Sequence, residues 1–195
     1  MKKLFRPNLY VALTHYPVVN KNGEIITSAV TNLDLHDIAR AARTFGAQAF
    51  YVVTPLADQK RLVEKIISHW TRGFGSTYNP QRRRALEMIH VRESVGQVVE
   101  HIAANAGTSP EVTVTCARDV GTRPLMSYEG FRALLQSGKP HLLIFGTAWG
   151  LSEPFIAKAD YILEPIRGNT GYNHLSVRCA AAIILDRLMG NHNLN

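Results

Sequence analysis

The apolar run Leu142–Phe145 breaks at Gly146, a second glycine follows at Gly150, and a helix begins only at Ser152. A second short apolar run, Tyr161–Leu163, gives way to an irregular loop with Pro165, Gly168, Asn169 and Gly171, after which the chain turns helical from Ser176 to Met189. Two strand ends thus deliver two glycine-bearing loops. In a parallel α/β sheet such loops meet at the carboxyl edge, where ligands bind. This stretch sets the kind of fold that the rest of the chain has to complete.

Upstream, strand and helix patterns alternate. Leu9–His15 reads as a strand, Pro17–Gly23 as a polar turn, and Glu24–Asn32 as an ordered loop whose apolar spacing fits neither period. Ile38, Ala41, Ala42 and Phe45 share one face of a helix over Leu35–Phe45, stopped by Gly46, and Ala49–Thr54 is a buried strand. Leu62, Val63, Ile66, Ile67 and Trp70 repeat the helical spacing within Asp58–Arg72. A loop over Phe74–Pro80, a short helix with Arg82, Arg83 and Arg84, and an edge strand at Ile89–Arg92 follow. Ser94 caps a helix that buries Val95, Val98, Val99, Ile102 and Ala103 and ends at Gly107. Val112–Cys116 is a strand, Ala117–Met126 a loop with Arg118, Asp119, Arg123 and Pro124, and Ser127 caps a helix reaching Gln136. The order predicts an α/β fold with a mostly parallel sheet covered by helices on both faces. One domain spans 1–195, with 58–107 as a helical elaboration.

No apolar run approaches the roughly 20 residues that cross a bilayer, and Met1–Arg6 leads straight into a strand without a cleavable leader, so the expectation is a soluble, cytoplasmic protein. The formal charge of +7, from 22 Lys+Arg against 15 Asp+Glu, attracts phosphate backbones without specifying a sequence. A merely basic surface explains it equally well. Cys116 and Cys179 belong to no ligand-spaced cluster and read as buried, reduced thiols. No metal site is expected.

The chain has no G-x-x-x-x-G-K-[ST] loop, no G-x-G-x-x-G after a strand and no H-E-x-x-H, which removes the usual ATP, dinucleotide and zinc-hydrolase readings. What remains is Gly146 to Leu151 together with Ile166-Arg167-Gly168 and Tyr172 to Ser176. Glycines at strand ends let a ligand approach the backbone, whose amides and carbonyls can read an adenine edge without charged side chains. Tight turns alone would also account for these glycines.

The same residues resemble the cofactor-binding end of the SPOUT-class RNA methyltransferases. The ribose-methylating branch of that class carries a G-x-x-x-x-G-L-S loop after a strand, then I-P-x-x-G, then S-L-N-V-S at the last helix. Here the matching positions are Phe145-Gly146, Gly150-Leu151-Ser152, Pro165-Ile166-Arg167-Gly168 and Leu175-Ser176-Val177. Upstream, Asp34 to Gly46 is similar to that branch's N-x-x-A-I-x-R-T-x-x-A-F-G helix, followed by a strand ending in proline at Tyr51-Val52-Val53-Thr54-Pro55. The resemblance implies a C-terminal deep trefoil knot, a homodimer, an RNA substrate and S-adenosyl-L-methionine as cofactor. It assigns the cofactor site to Thr115, Cys116, Ala117, Gly146, Thr147, Gly150, Leu151, Ile166, Arg167, Gly168, Tyr172, Asn173, His174, Leu175 and Ser176. Asp34 replaces the branch's asparagine, Thr147-Ala148-Trp149 lacks its glutamate, and His174-Leu175-Ser176-Val177-Arg178 replaces S-L-N-V-S. These positions include ones that handle the target ribose in that branch, so base methylation, as in the members of the class that modify a guanine ring nitrogen, stands open beside ribose methylation.

Arg40 is expected to orient the target nucleotide and Asp34 or His36 to accept a proton, all three being near one helix start. Helix capping by Asp34 or Asp37 and a surface ion pair are the plain alternative. Arg82, Arg83, Arg84 and Arg178 are candidate RNA contacts, and Trp149 and Tyr172 candidate stacking surfaces. A non-catalytic RNA-binding protein keeping the same fold is the alternative function.

Overall fold

The computed structural model describes residues 7–118, 121 and 123–191. The leader reading of Met1–Arg6 and the loop residue Asp119 lie outside them.

The strand β1 (Leu9–Thr14) is apolar on both faces and buried almost throughout, which places it at the sheet centre. The chain continues through β2 (Val18–Val19), β3 (Ile25–Ile26), α1 (Asn32–Thr44), β4 (Ala49–Val53), α2 (Ala57–Thr71), α3 (Gly75–Tyr78) and α4 (Pro80–Leu86). It then forms β5 (Ile89–Arg92), α5 (Val95–Ala106), β6 (Glu111–Thr115), α6 (Tyr128–Leu135), β7 (His141–Gly146), α7 (Glu153–Ile156), β8 (Tyr161–Leu163) and α8 (Val177–Met189). Six strands form one sheet in the order β5-β4-β1-β7-β6-β8, and every pairing is parallel. β1 pairs with β4 from Tyr10 against Ala49 and with β7 from Leu9 against His141.

Period-two side chains feed two cores. Leu9, Val11, Leu13, Phe50, Val52, Leu143 and Phe145 meet α1, α4, α6 and α8 on one face. Ala12, Tyr51, Val53, Leu142 and Ile144 meet Val98 and Ile102 of α5 and Ile156 of α7 on the other. Phe50 is fully buried, and its truncation to alanine would cost about 3–5 kcal/mol.

Several boundaries differ from the sequence expectation. The segment expected as loop over Glu24–Asn32 contributes β3, which pairs antiparallel with β2 inside the expected Pro17–Gly23 turn. Two-residue strands are too short to show a period. Helix α1 starts at Asn32 and is capped by Thr31, whose Oγ1 accepts from the amide of Asp34; neither Asp34 nor Asp37 is the cap. The Phe74–Pro80 loop contains α3. Leu62 is 42% exposed rather than on the buried face. Cys179 is exposed and Cys116 half-buried, both as free thiols, so neither is fully buried. Within 58–107, β5 extends the main sheet and α5 covers its second face.

Candidate active site

From β1 the chain runs outward through β4 to β5 on one side, while β7, β6 and β8 lie on the other, so the order reverses between β1 and β7. A crevice opens at the carboxyl ends of strands at such a switch point. Here it holds a cavity of about 570 Å³, walled by the ends of β6 and β7, the 164–177 segment, the first turn of α1 and the inner face of α8.

The glycine loop after β7 is held tightly. A Cβ on Gly146 would sit 2.8 Å from Leu151 Cγ and 2.9 Å from the Leu151 amide, so glycine is required for Leu151 to tuck beneath the loop. Ala148 has φ 52° and Gly150 φ 103°, both left-handed. Such a conformation costs an alanine on the order of 1 kcal/mol or more and needs support from its surroundings. The support comes from β2: the Trp149 amide donates to Val19 O at 3.0 Å, and the Val19 amide to Gly150 O at 2.9 Å.

Below this loop runs a buried polar chain. Thr147 Oγ1 donates to Thr14 O at 3.2 Å and therefore accepts from Ser28 Oγ through a short hydrogen bond. Ser28 Oγ, its own proton used, accepts from His15 Nδ1 at 3.0 Å. The proton of neutral His15 thus sits on Nδ1, and Nε2 is buried without a hydrogen-bond partner. Burial lowers the His15 pKa to about 4.

At the opposite wall stands Asp34, whose Oδ2 accepts from Thr31 Oγ1 at 2.6 Å. Arg178 Nε lies 3.7 Å from Asp34 Oδ1, and Arg178 Nη1 3.9 Å from Asp37 Oδ2. Phe145, Ile166, Leu175 and Ile184 give the cavity apolar walls. Asn173 Nδ2 donates to Ala117 O at 3.3 Å, tying the 164–177 segment to the end of β6. Arg118 donates to Leu151 O at 2.7 Å and lies 3.8 Å from Glu153.

Of the residues expected to hold a cofactor, Thr115, Cys116, Ala117, Gly146, Thr147, Gly150, Ile166, Asn173, His174, Leu175 and Ser176 line this one cavity. Leu151 is buried under the loop and acts as its support. Arg167, Gly168 and Tyr172 are exposed and outside the cavity wall. The three expected catalytic residues separate. Asp34 reaches the cavity, Arg40 is exposed farther along α1, and His36 turns to the ring of Trp70 at 5.3 Å. Burial and the nearby Arg82 lower the His36 pKa. Arg82, Arg83 and Arg84 lie on α4, where Arg82 stacks 4.6 Å over Trp70 and Arg83 pairs with Glu87 at 2.7 Å. Arg178 belongs to the Asp34 wall.

Sequence reasoning missed Ser28, Ala29, Arg118, Glu164, Ala180 and Ile184 as cavity residues. The spacing Ser176, Ala180, Ile184 along one face of α8 was available as a signal. Ser28 and Ala29 carried none, because only the β2–β3 pairing brings them under the glycine loop.

Among the described residues no group of three or more His, Cys, Asp or Glu could hold a metal ion, and no helix is long and apolar enough to cross a membrane. Residues 8–190 match the family described as SAM-dependent RNA methyltransferase. A tRNA (guanine-N(1)-)-methyltransferase from Oleidesulfovibrio alaskensis is 46% identical over 184 residues, covering 94% of this chain and 42% of that protein. The chain thus spans less than half the length of that relative. An uncharacterized protein from Aquifex aeolicus is 37% identical over 191 residues, covering 97% of this chain and 92% of that one. The crystal structure of TrmJ from Z. mobilis shares the fold at a TM-score of 0.61 and 18% identity, covering 95% of this chain and 70% of that one. With the family match running from β1 to the end of α8, the chain belongs to the SAM-dependent RNA methyltransferase family.

Proposed function

We propose that this chain transfers the methyl group of S-adenosylmethionine to tRNA, at a guanine ring nitrogen. The observation that carries the reading is the Asp34 carboxylate on the wall of the cavity at the sheet's switch point, paired with Arg178, while the cavity's other carboxylate, Glu164, accepts from the Tyr128 amide. The cavity volume lies within the range of small-molecule sites. Ile166, Leu175, Phe145 and Ile184 offer apolar surface for an adenine, and the Gly146–Gly150 backbone offers its edge contacts. The donor supplies a methyl group activated on a sulfonium. The chain's part is to hold the acceptor in line and to take its proton. A guanine N1 is protonated at neutral pH, so a nearby carboxylate has a defined task, and Asp34 fills it with Arg178 orienting it. Arg40, exposed on the same helix, contacts the nucleotide from outside. Guanine N1 is the position in the name of the 46% identical relative, 42% of which is covered by the match.

The reading includes the trefoil knot. Supporting it, Met126 bridges Leu163 in parallel, with its amide donating to Ile162 O and its carbonyl accepting from the Glu164 amide. Asn173 Nδ2 of the 164–177 segment donates to Ala117 O, just past β6. It also includes a cytoplasmic homodimer in which the exposed rim of Trp149, Tyr172 and Leu175 is covered by the second copy.

Incubation of the protein with labelled donor and bulk tRNA, followed by nucleoside mass spectrometry, tests the reading. Label at N1-methylguanosine is expected. Label on a ribose moves the chemistry to the 2′-hydroxyl, and donor binding without transfer identifies a binding protein on the same fold.

A further inference from the structure

Away from the cavity, on the far side of α1, two large aromatic rings stand in the open. Phe74 and Tyr78 are 75% and 74% exposed, and their rings stack at 5.9 Å with 24° between planes. They are mounted rigidly. Gly75 passes so close to Trp70 that a Cβ there would lie 2.6 Å from Trp70 Cε3, and a Cβ on Gly73 would lie 2.8 Å from His69 O. Trp70 is itself clamped by His36 at 5.3 Å, by His69 at 5.2 Å and by Arg82 at 4.6 Å. Exposed aromatic rings on a pre-built base keep their contact surface without an ordering cost when something binds.

The surrounding charge selects the occupant. Arg72, Arg82 and Arg84 form no ion pair among the described residues. Stacked aromatics with arginines close by in the chain, Arg72 two residues before Phe74 and Arg82 and Arg84 on the helix that follows Tyr78, suit unpaired nucleotides, whose bases stack on the rings while the phosphates meet guanidinium groups. The patch also joins the cavity through one helical turn: Asp34 lines the cavity, and His36, two residues on, packs on Trp70.

We propose that Phe74 and Tyr78 form a stacking platform for an unpaired nucleotide of the RNA substrate, with Arg72, Arg82 and Arg84 on its phosphates. The inference rests on the reading of RNA as the partner. An RNA laid over the first turns of α1 then places one base in the cavity while another is held on the platform.

The test compares wild type, Phe74→Ala/Tyr78→Ala, Tyr78→Phe and Arg84→Ala by fluorescence anisotropy with labelled bulk tRNA and a single-stranded uridine 12-mer across a salt series. Donor affinity is followed by calorimetry. The double alanine variant is expected to lose about 5- to 150-fold in affinity for both RNAs, the loss of one stacked base, with an unchanged salt slope. Tyr78→Phe retains affinity, and Arg84→Ala lowers the salt slope by about one. Donor binding stays at the wild-type level in all of them. Double-variant affinity within about twofold of wild type overturns the platform. So does a shift from dimer to monomer in sedimentation with RNA affinity intact, which would mark the patch as a contact between copies. Failure of wild type to transfer methyl while it still binds RNA through the patch overturns the methyltransferase reading and leaves the platform standing.

Discussion

Arg178 Nε of α8 lies 3.7 Å from Oδ1 of Asp34 in α1, joining across the cavity wall two residues far apart in the chain. Their side chains are 29% and 13% exposed, so the pair is screened less than a surface contact. Asp37 gives Arg178 a second carboxylate at 3.9 Å. The arginine is thereby fixed beside the carboxylate proposed to take the proton.

Asp34→Asn keeps the side-chain volume and an oxygen for Thr31, and Arg178 keeps Asp37. Unfolding stability should fall by about 1 kcal/mol or less, and donor affinity should hold. Methyl transfer should fall by about 10²- to 10⁴-fold, the usual contribution of a positioned base. Single-turnover rates beside denaturant melts separate the two effects. Unchanged transfer would reduce Asp34 to the partner of Thr31 at the helix start.

The fully buried His15 makes stability depend on pH in a defined window. Its pKa falls from 6.5 to about 4 on folding, so the unfolded chain binds the proton more readily. The contribution is complete above pH 6.5 and is lost as pH falls from there to about 4, a total of ~3 kcal/mol. Burial lowers His36, His90, His101 and His141 in the same direction. Unfolding free energies at pH 7.5 and pH 5 should therefore differ in favour of the higher pH, and His15→Asn should reduce the difference, leaving the part due to the other four histidines.

Much of this architecture is legible in the chain because apolar runs bounded by glycine or proline report buried parallel strands directly. The order from Leu9 to Met189 is legible, and the two loops at Gly146 and Ile166 both line one cavity. The pairing of Val18–Val19 with Ile25–Ile26 could not be read, since two residues carry no period. With it went Ser28 and the polar chain under Thr147. Position at one helix start grouped His36 and Arg40 with Asp34, yet residues two apart point to opposite sides of a helix, and the sequence could not say that Trp70 on α2 would take the His36 ring.

The sequence also treats Gly146 and Gly168 alike, whereas the structure separates them. Alanine at Gly146 would meet Leu151 at 2.8 Å, while at Gly168 nothing lies within 4 Å of the added Cβ and the backbone is not left-handed. Gly146→Ala should cost about 1–3 kcal/mol, as overpacking does, and should weaken donor binding by displacing the loop. Gly168→Ala should stay within about 0.5 kcal/mol of wild type. Thermal melts and calorimetry on the two variants check both. Equal effects would mean that the loop does not depend on Leu151 beneath Gly146.

The chain from His15 through Ser28 and Thr147 to Thr14 should behave as one unit. Ser28→Ala leaves the His15 Nδ1 proton without its acceptor in a buried place, and Thr147→Val removes the hydroxyl that accepts from Ser28 and donates to Thr14 O. Each should cost about 1–3 kcal/mol, the usual penalty for stranding a buried polar group. Once Thr147 is valine, Ser28 has already lost its acceptor, so the second substitution removes less than it does alone. The double variant should therefore be more stable than the sum predicts, with a coupling of about 0.5–3 kcal/mol. Because Thr147 also lines the cavity, donor affinity should drop in Ser28→Ala through displacement of the loop. Additive costs, with donor affinity untouched in Ser28→Ala, would separate the polar chain from the site above it.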